Sequence, residues 1–174
     1  RKGALVTRLE SVEDASSIDI ICFDKTGTIT QNKLSVVDSI PFSGNKKEDV
    51  LRIASLTSRS EGMDLIDMAI MDYAVQSGLN FDDYKQVSYS PFDPSVKRTE
   101  ATIETGGKQF RTVKGAAQVI LSLCKDIDKE TNEEVNKTID TFSKKGFRTI
   151  AVARSKDDDL NNFQLVGLLP LADP

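Results

Sequence analysis

A strand-like apolar run followed at once by an aspartate and a glycine–threonine turn constrains the fold of this chain more than any other feature. The run is Ile18–Phe23 (IDIICF), and Asp24–Thr28 (DKTGT) comes directly after it. Apolar, β-branched runs of this length are typical of a buried strand in a parallel sheet. Open α/β sheets carry their ligand chemistry at the carboxyl ends of their strands. The sequence therefore predicts that Asp24 lies at a functional site.

The residues after this strand are suited to phosphoryl chemistry. A carboxylate such as Asp24 can attack a phosphoryl group and form a mixed anhydride. Lys25 and Mg²⁺ can offset the negative charge of the transferring phosphate. Thr26 offers a backbone carbonyl and Thr28 offers a hydroxyl near the same phosphate. The alternative is a solvent-exposed turn after a core strand.

Charge and composition argue against several classes of function. Lys plus Arg is 23 and Asp plus Glu is 27, so the formal net charge is −4. This acidic balance argues against a nucleic-acid or anionic-membrane binder. The chain has no His and only two cysteines, Cys22 and Cys124, which argues against a zinc site and excludes a His base. Cys22 lies in the apolar run and is predicted to be buried in a reducing compartment.

The chain is predicted to consist of three parts, residues 1–35, 36–165 and 166–174. The middle part mixes helices with antiparallel strands, which indicates an α+β insert packed as a helix–sheet sandwich. The predicted helices are Glu10–Ala15, Lys46–Thr57, Asp64–Gln76, Gly115–Leu123 and Glu130–Lys145. The predicted strands are Ile18–Phe23, Gln86–Phe92, Thr99–Glu104, Lys108–Lys114, Phe147–Arg154 and Phe163–Leu169, with Leu34–Ile40 as a strand or a linker and a hairpin turn at Gly106–Gly107. No apolar run approaches the roughly 20 residues of a membrane helix, so the chain itself is expected to be soluble.

The sequence DKTGTIT resembles the phosphorylation motif of the P-type cation-transporting ATPases, which reads DKTGTLT or DKTGTIT. The resemblance implies a partial haloacid-dehalogenase-like phosphorylation domain that begins in residues 1–35, a nucleotide-binding insert at 36–165 and a return hinge at 166–174. It implies catalytic roles for Asp24, Lys25, Thr26 and Thr28, and Mg²⁺ bound by Asp24 and Thr26. Soluble phosphatases of the same fold usually carry an Asp where this chain has Thr26, so a soluble phosphatase is the less favoured alternative.

Two segments of the insert resemble parts of the family's ATP pocket. Ser90–Thr99 (SPFDPSVKRT) is similar to the segment whose Phe stacks on adenine and whose Lys lies at the pocket, which implies these roles for Phe92 and Lys97. The segment containing IDMAI is similar to the one whose acidic residue accepts a hydrogen bond from the adenine amino group. Asp67 matches that residue, and Asp64 is expected to cap the helix instead. For Asp67 the alternative is a solvated helix carboxylate, and for Phe92 it is ordinary core packing.

Two further segments complete the resemblance. Val113–Ala116 (VKGA) is similar to the family's KGA motif, which implies that Lys114 lines the adenine pocket and that Gly115 lets the nucleotide approach the backbone. The strand after Gly146 is similar to the one whose Arg contacts the phosphate side of the nucleotide, which implies that role for Arg148.

Among the P-type ATPases, the chain most resembles the plasma-membrane proton pumps. Asp67 and Ala69 within IDMAI, the spacing of FDPSVKR and the final GLLPLADP carry this similarity, and a pump for Mg²⁺ or Ca²⁺ is the alternative. The motifs TGES, TGD and GDGxND are absent, so the chain is expected to be a piece of a longer protein. Its partners would be ATP and the rest of its own pump, namely the actuator domain, the rest of the phosphorylation domain and the transmembrane helices. The piece would lie at the cytoplasmic face of the cell membrane and bind ATP without turnover.

Overall fold

The computed structural model describes residues 6–23, 33–61, 64–157 and 159–173. The predicted motif Asp24–Thr28 lies outside these ranges. The chain divides into two units, residues 1–32 and residues 33–174. The predicted domain boundaries at 35 and 165 stay predictions.

The described part of residues 1–32 contains one helix, α1 (Glu10–Ser16), which confirms the helix predicted there. The strand predicted at Ile18–Phe23 is wrong, because these residues have no regular secondary structure and the side chain of Ile20 is 82% exposed. Cys22 is exposed as well, which overturns its predicted burial. A strand is stable only when its backbone N–H and C=O groups find partners, and none of the described strands pairs with this segment.

Residues 33–174 form an antiparallel sheet of seven strands, which confirms the fold predicted for the insert. The strands are β1 (Ser35–Val36), β2 (Ile40–Pro41), β3 (Lys85–Asp93), β4 (Arg98–Thr105), β5 (Lys108–Ala116), β6 (Arg148–Ser155) and β7 (Phe163–Ala172). Their order across the sheet is β1-β7-β6-β5-β4-β3, and β2 pairs with β7 on the same side as β1. The segment predicted as a strand or linker at 34–40 thus forms two short strands along one edge of β7.

Helices cover both faces of the sheet. They are α2 (Lys47–Leu56), α3 (Leu65–Gln76), α4 (Ala117–Leu123) and α5 (Lys129–Lys144). The helices α2 and α3 share one apolar cluster with Ile150 and Val152 of β6, whereas α4 shares the other with Ala151 and Ala153. Successive side chains of a strand point to opposite faces, so one strand contributes to both clusters. None of the described helices has the length and apolar character needed to span a membrane.

The start of α4 and the extent of β7 differ from the sequence predictions, whereas the predicted hairpin turn is present. The helix predicted from Gly115 begins at Ala117, because Gly115 and Ala116 still pair with β6. The predicted hairpin turn is confirmed: Gly106 and Gly107 join β4 to β5, and both have positive φ (56° and 75°). Two-residue hairpin loops favour such backbone angles, and glycine adopts them at little cost. Residues 166–172, which the sequence assigns to a hinge, lie within β7.

Candidate functional site

A cavity of about 300 Å³ lies between the first turn of α3, the end of β3 with its turn to β4, and the strands β4, β5 and β6. All six residues that the sequence predicts to bind a nucleotide line it. They are Asp67, Phe92, Lys97, Lys114, Gly115 and Arg148. The rest of its lining consists of Asp64, Ile66, Pro94, Thr99, Ala116 and Ile150. The structure thus brings together side chains that lie up to 81 positions apart in the sequence (148 − 67 = 81).

Lys114 and Asp67 form a buried ion pair in the cavity wall. The ammonium Nζ lies 2.8 Å from Asp67 Oδ1, and the two side chains are 3% and 5% exposed. Nζ also donates a hydrogen bond to the backbone carbonyl of Thr57, at the end of α2. Burial lowers the pKa of Lys114, because desolvation disfavours the charged ammonium, while Asp67 acts in the opposite direction.

The start of α3 holds Asp67 in place. Asp64 caps the helix as predicted, since its Oδ1 accepts hydrogen bonds from the backbone N–H groups of Ile66 and Asp67. Asp67 Oδ2 accepts hydrogen bonds from the Arg59 backbone N–H at 2.9 Å and from the Tyr89 hydroxyl at 3.2 Å. Asp67 is therefore a buried carboxylate with three protein partners, which excludes the alternative of a solvated helix residue.

The end of β3 presents an aromatic side chain to the cavity. Phe92 is 41% exposed and belongs to neither apolar cluster, so it does not serve as ordinary core packing. Asp93 fixes the turn: its carboxylate accepts hydrogen bonds from the backbone N–H and the hydroxyl of Ser95, and its carbonyl accepts one from the Lys97 N–H at 2.7 Å. Lys97 takes a left-handed backbone conformation with φ 53°, which turns the chain back into β4. An aromatic face is thus accessible at the cavity.

Gly115 is required by the protein's own backbone. A Cβ at this position would lie against the carbonyl oxygen of Lys97 and 2.8 Å from Arg98 Cα. The same Lys97 carbonyl accepts a hydrogen bond from the Ala116 N–H. The sequence interpretation assigns this close approach to a nucleotide. In the structure the approaching group is the β3–β4 turn, which Gly115 allows to pack directly on β5.

Two cationic side chains border the cavity. Lys97 and Arg148 are both exposed, and Arg148 is the first residue of β6. Within the described part of the chain, neither side chain takes part in an ion pair. A cationic side chain that forms no ion pair with a protein carboxylate is suited to bind an anionic group of a ligand. Arg can in addition bind phosphate in bidentate geometry.

The sequence interpretation misses three residues that organise the site. Thr57, Arg59 and Tyr89 contact the Lys114–Asp67 pair, and each belongs to a segment interpreted only as helix, loop or strand. The only feature of the sequence that could have pointed to Tyr89 is its position three residues before Phe92, on the same strand β3. The predicted catalytic residues Asp24, Lys25, Thr26 and Thr28, and with them the predicted Mg²⁺ ligands, lie outside the described residues.

Comparison with known proteins gives consistent matches. Residues 63–168 match the family described as P-type ATPase, cytoplasmic domain N. A protein of Methanocaldococcus jannaschii, provisionally named a cation-transporting ATPase, is 41% identical over 176 residues. A provisionally named plasma membrane ATPase of Dictyostelium discoideum is 39% identical, and the plasma membrane ATPase of Dunaliella bioculata is 35% identical. Each match covers 100% of this chain but only 21%, 17% and 16% of the relative, so the chain spans about a fifth of their length.

Solved structures agree on the fold. Two crystal structures of a zinc-transporting PIB-type ATPase superimpose with a TM-score of 0.59 over 87% of this chain and 21% of the other. The identity is 21% and 22%, so this likeness concerns the fold alone. Residues 33–174 thus have the fold of a P-type ATPase cytoplasmic domain. The chain belongs to the P-type ATPase family, and the part that matches is its cytoplasmic domain N.

Proposed function

We propose that this chain binds ATP in the cavity and presents its γ-phosphate to Asp24 in the whole pump. The observation that carries the proposal is the convergence of Asp67, Phe92, Lys114 and Arg148 from four separate elements onto one cavity. Its volume of about 300 Å³ is at the lower end of the range for small-molecule sites. The lining combines an aromatic face and a buried ion pair, which suit the base of a nucleotide, with two exposed cations, which suit its phosphates.

The adenine base would lie at the apolar side of the cavity. The exposed face of Phe92 offers a stacking surface, and Ile150 lines the same cavity. Asp67 would accept a hydrogen bond from the adenine amino group, and the adjoining Lys114 would donate to a ring nitrogen. Gly115 contributes indirectly, by letting the β3–β4 turn, which follows Phe92, pack on β5.

The phosphates would lie toward Lys97 and Arg148. Both side chains are exposed at the cavity, so each can follow a phosphate chain that extends into solvent. Arg148 can bind two phosphate oxygens at once, whereas Lys97 acts as a single positive charge. These cations would neutralise part of the phosphate charge and hold the phosphate chain at the open side of the cavity.

Asp24 would attack the γ-phosphorus, so that a bond forms from a carboxylate oxygen and the bond to the β–γ bridging oxygen breaks, which releases ADP. The Lys25 ammonium and the Thr28 hydroxyl would donate hydrogen bonds to the phosphoryl oxygens. Mg²⁺, which Asp24 and Thr26 are proposed to bind, would neutralise charge on the transferring group. Because Thr26 cannot act as a general acid or base, the phospho-aspartate would persist until the pump changes shape.

The proposed domain division explains how the two sites meet. Residues 1–35 would begin the phosphorylation domain, residues 36–165 would form the nucleotide-binding domain, and residues 166–174 would return to the phosphorylation domain. Ser35 and Ala172 pair with each other at the ends of β1 and β7. The chain would pass between the two proposed domains twice at this place, and these adjacent connections would form a hinge. Closure of the hinge would carry ATP to Asp24.

The complete protein would export protons across the cell membrane, with this chain on the cytoplasmic face. Relatives named as plasma membrane ATPases, which are 31% to 39% identical, support this choice. A pump for Mg²⁺ or Ca²⁺ is the second candidate. The remaining partners would be the actuator domain, the rest of the phosphorylation domain and the membrane helices. The chain alone would bind ATP without turnover.

Replacing Phe92 by Ala tests the proposed ATP site. Loss of base stacking is worth about 1–3 kcal/mol, so ATP should bind roughly 5- to 150-fold more weakly. Val96→Ala is the matched control, because Val96 lies four residues after Phe92 in the turn from β3 to β4, is also 41% exposed and does not line the cavity. Isothermal titration of both variants with ATP should show the loss for Phe92→Ala alone. Equal affinities for the two variants would contradict the proposed site.

A further inference from the structure

The Asp67 carboxylate has little acceptor capacity left for a ligand. Its Oδ2 already accepts hydrogen bonds from the Arg59 N–H and the Tyr89 hydroxyl, and its Oδ1 lies 2.8 Å from the Lys114 ammonium. A carboxylate offers about four lone-pair positions, so one position remains, and it is on Oδ1. The remaining acceptor is thus beside Lys114, which lines the same cavity.

The Tyr89 ring, whose hydroxyl fills the second position on Oδ2, is itself held firmly. The guanidinium of Arg59 lies over the ring, 4.4 Å from its centroid. Arg59 Nε donates to Gln86 Oε1 at 2.7 Å, and Gln86 Nε2 donates to the carbonyl of Leu56 at 3.0 Å. Burial, followed by the charge of Asp67, raises the pKa of Tyr89 to about 12. The hydroxyl therefore remains a donor at neutral pH.

This hydrogen bond also joins two walls of the cavity. Tyr89 belongs to β3, three residues before Phe92, whereas Asp67 belongs to the first turn of α3. The contacts form a closed network with two arms. Arg59 leads through Gln86 to the Leu56 carbonyl, and Asp67 leads through Lys114 to the carbonyl of the next residue, Thr57. Tyr89 and Asp67 are thus linked through a network that starts and ends at the end of α2, whereas Phe92 lies within an irregularity in the β3–β4 pairing and takes no part in it.

We propose that Tyr89 is a positioning residue, whose hydroxyl orients the Asp67 carboxylate so that only Oδ1 is offered to the 6-amino group of a purine. This inference rests on the proposed ATP site and adds the residue that sets its base selectivity. Without the hydroxyl, Oδ2 regains an open position, and only the Arg59 N–H and the Lys114 ammonium still hold the carboxylate, so its orientation is less fixed. The amino group then loses a fixed acceptor, while stacking on Phe92 and the phosphate contacts are unaffected.

The test compares ATP with purine ribonucleoside triphosphate, which has the same ring system without the 6-amino group. Tyr89→Phe removes only the hydroxyl and keeps the ring under Arg59. One hydrogen bond corresponds to about a 3- to 10-fold change, so ATP should bind about 3- to 10-fold more weakly to the variant. The affinity for the analogue should change less than about twofold, because it makes no hydrogen bond to Asp67. Isothermal titration of the chain measures both.

Tyr84→Phe serves as the matched control. Tyr84 also carries a guanidinium over its ring, that of Arg52 at 5.9 Å, but its hydroxyl is not among the donors to Asp67. Its variant should bind both nucleotides as the wild type does. An unchanged ATP affinity of Tyr89→Phe, or an equal loss for both nucleotides, would overturn the positioning role alone. A wild type that binds both nucleotides equally would overturn it too, and one that binds neither would overturn the proposed function with it.

Discussion

Replacing Lys114 by Met is expected to destabilise the chain more than any other single change in the cavity. The variant leaves the Asp67 carboxylate buried without its cation, and it also removes the donor to the Thr57 carbonyl. Removing one member of a buried ion pair costs about 3–5 kcal/mol, because the remaining charge has lost its solvation and its partner. Urea unfolding at neutral pH, followed by circular dichroism, measures this loss of unfolding free energy.

The double variant Asp67→Asn with Lys114→Met separates charge from packing. It removes both charges but keeps a carbonyl oxygen that can accept from the Arg59 N–H and the Tyr89 hydroxyl. Replacing a whole buried pair is often nearly neutral, so the double variant should recover about half of the loss or more. A loss below about 1 kcal/mol for Lys114→Met, or a double variant no more stable than the single, would contradict the account of this pair.

Replacing Asp24 by Asn in the full-length pump is expected to abolish the phosphoenzyme. An amide is not a nucleophile toward phosphorus, so the covalent step is lost, while ATP should still bind with about the wild-type affinity. Incubation with radiolabelled ATP and Mg²⁺, followed by acid quenching, measures the covalent label. In the wild type the label should be stable to acid and released by hydroxylamine, as expected of an acyl phosphate.

The matched control for this change is Asp19→Asn. Asp19 is a carboxylate five residues before Asp24, and its side chain is exposed. The Asp19 variant should keep the full label, whereas the Asp24 variant should carry none. A label retained by Asp24→Asn would disprove the assignment of the nucleophile, and an equal loss in both variants would point to a folding defect in this segment.

The architecture of residues 33–174 could be predicted from the sequence because its signals are local. Ile150 and Ala151 of β6 are both buried on opposite faces of the sheet, and a short continuous apolar run in the sequence is typical of such a strand. The glycine pair at 106 and 107 marks a hairpin that the structure contains. The six cavity residues could be located only through motifs, since no local pattern relates Asp67 to Lys114.

The parts that could not be predicted depend on tertiary contacts. The apolar pattern of Ile18–Phe23 predicts a strand, but a strand requires neighbouring strands, and the described residues supply none. The bond from Tyr89 to Asp67 joins α3 to β3 across 22 positions of the sequence, and neither segment encodes it alone. The need for glycine at 115 likewise becomes visible only when the Lys97 carbonyl lies against it.

Titrating the isotope-labelled chain with a non-hydrolysable ATP analogue tests the central claim most directly, because backbone amide shifts report the bound site residue by residue. We expect saturable shifts around the cavity, at Asp67, Phe92, Lys97, Lys114 and Arg148. The amides of α5, which contributes no residue to the cavity, should not shift and serve as an internal control. An absence of shifts at the cavity, or shifts confined to Asp24–Thr28, would contradict the claim that residues 33–174 form the ATP site.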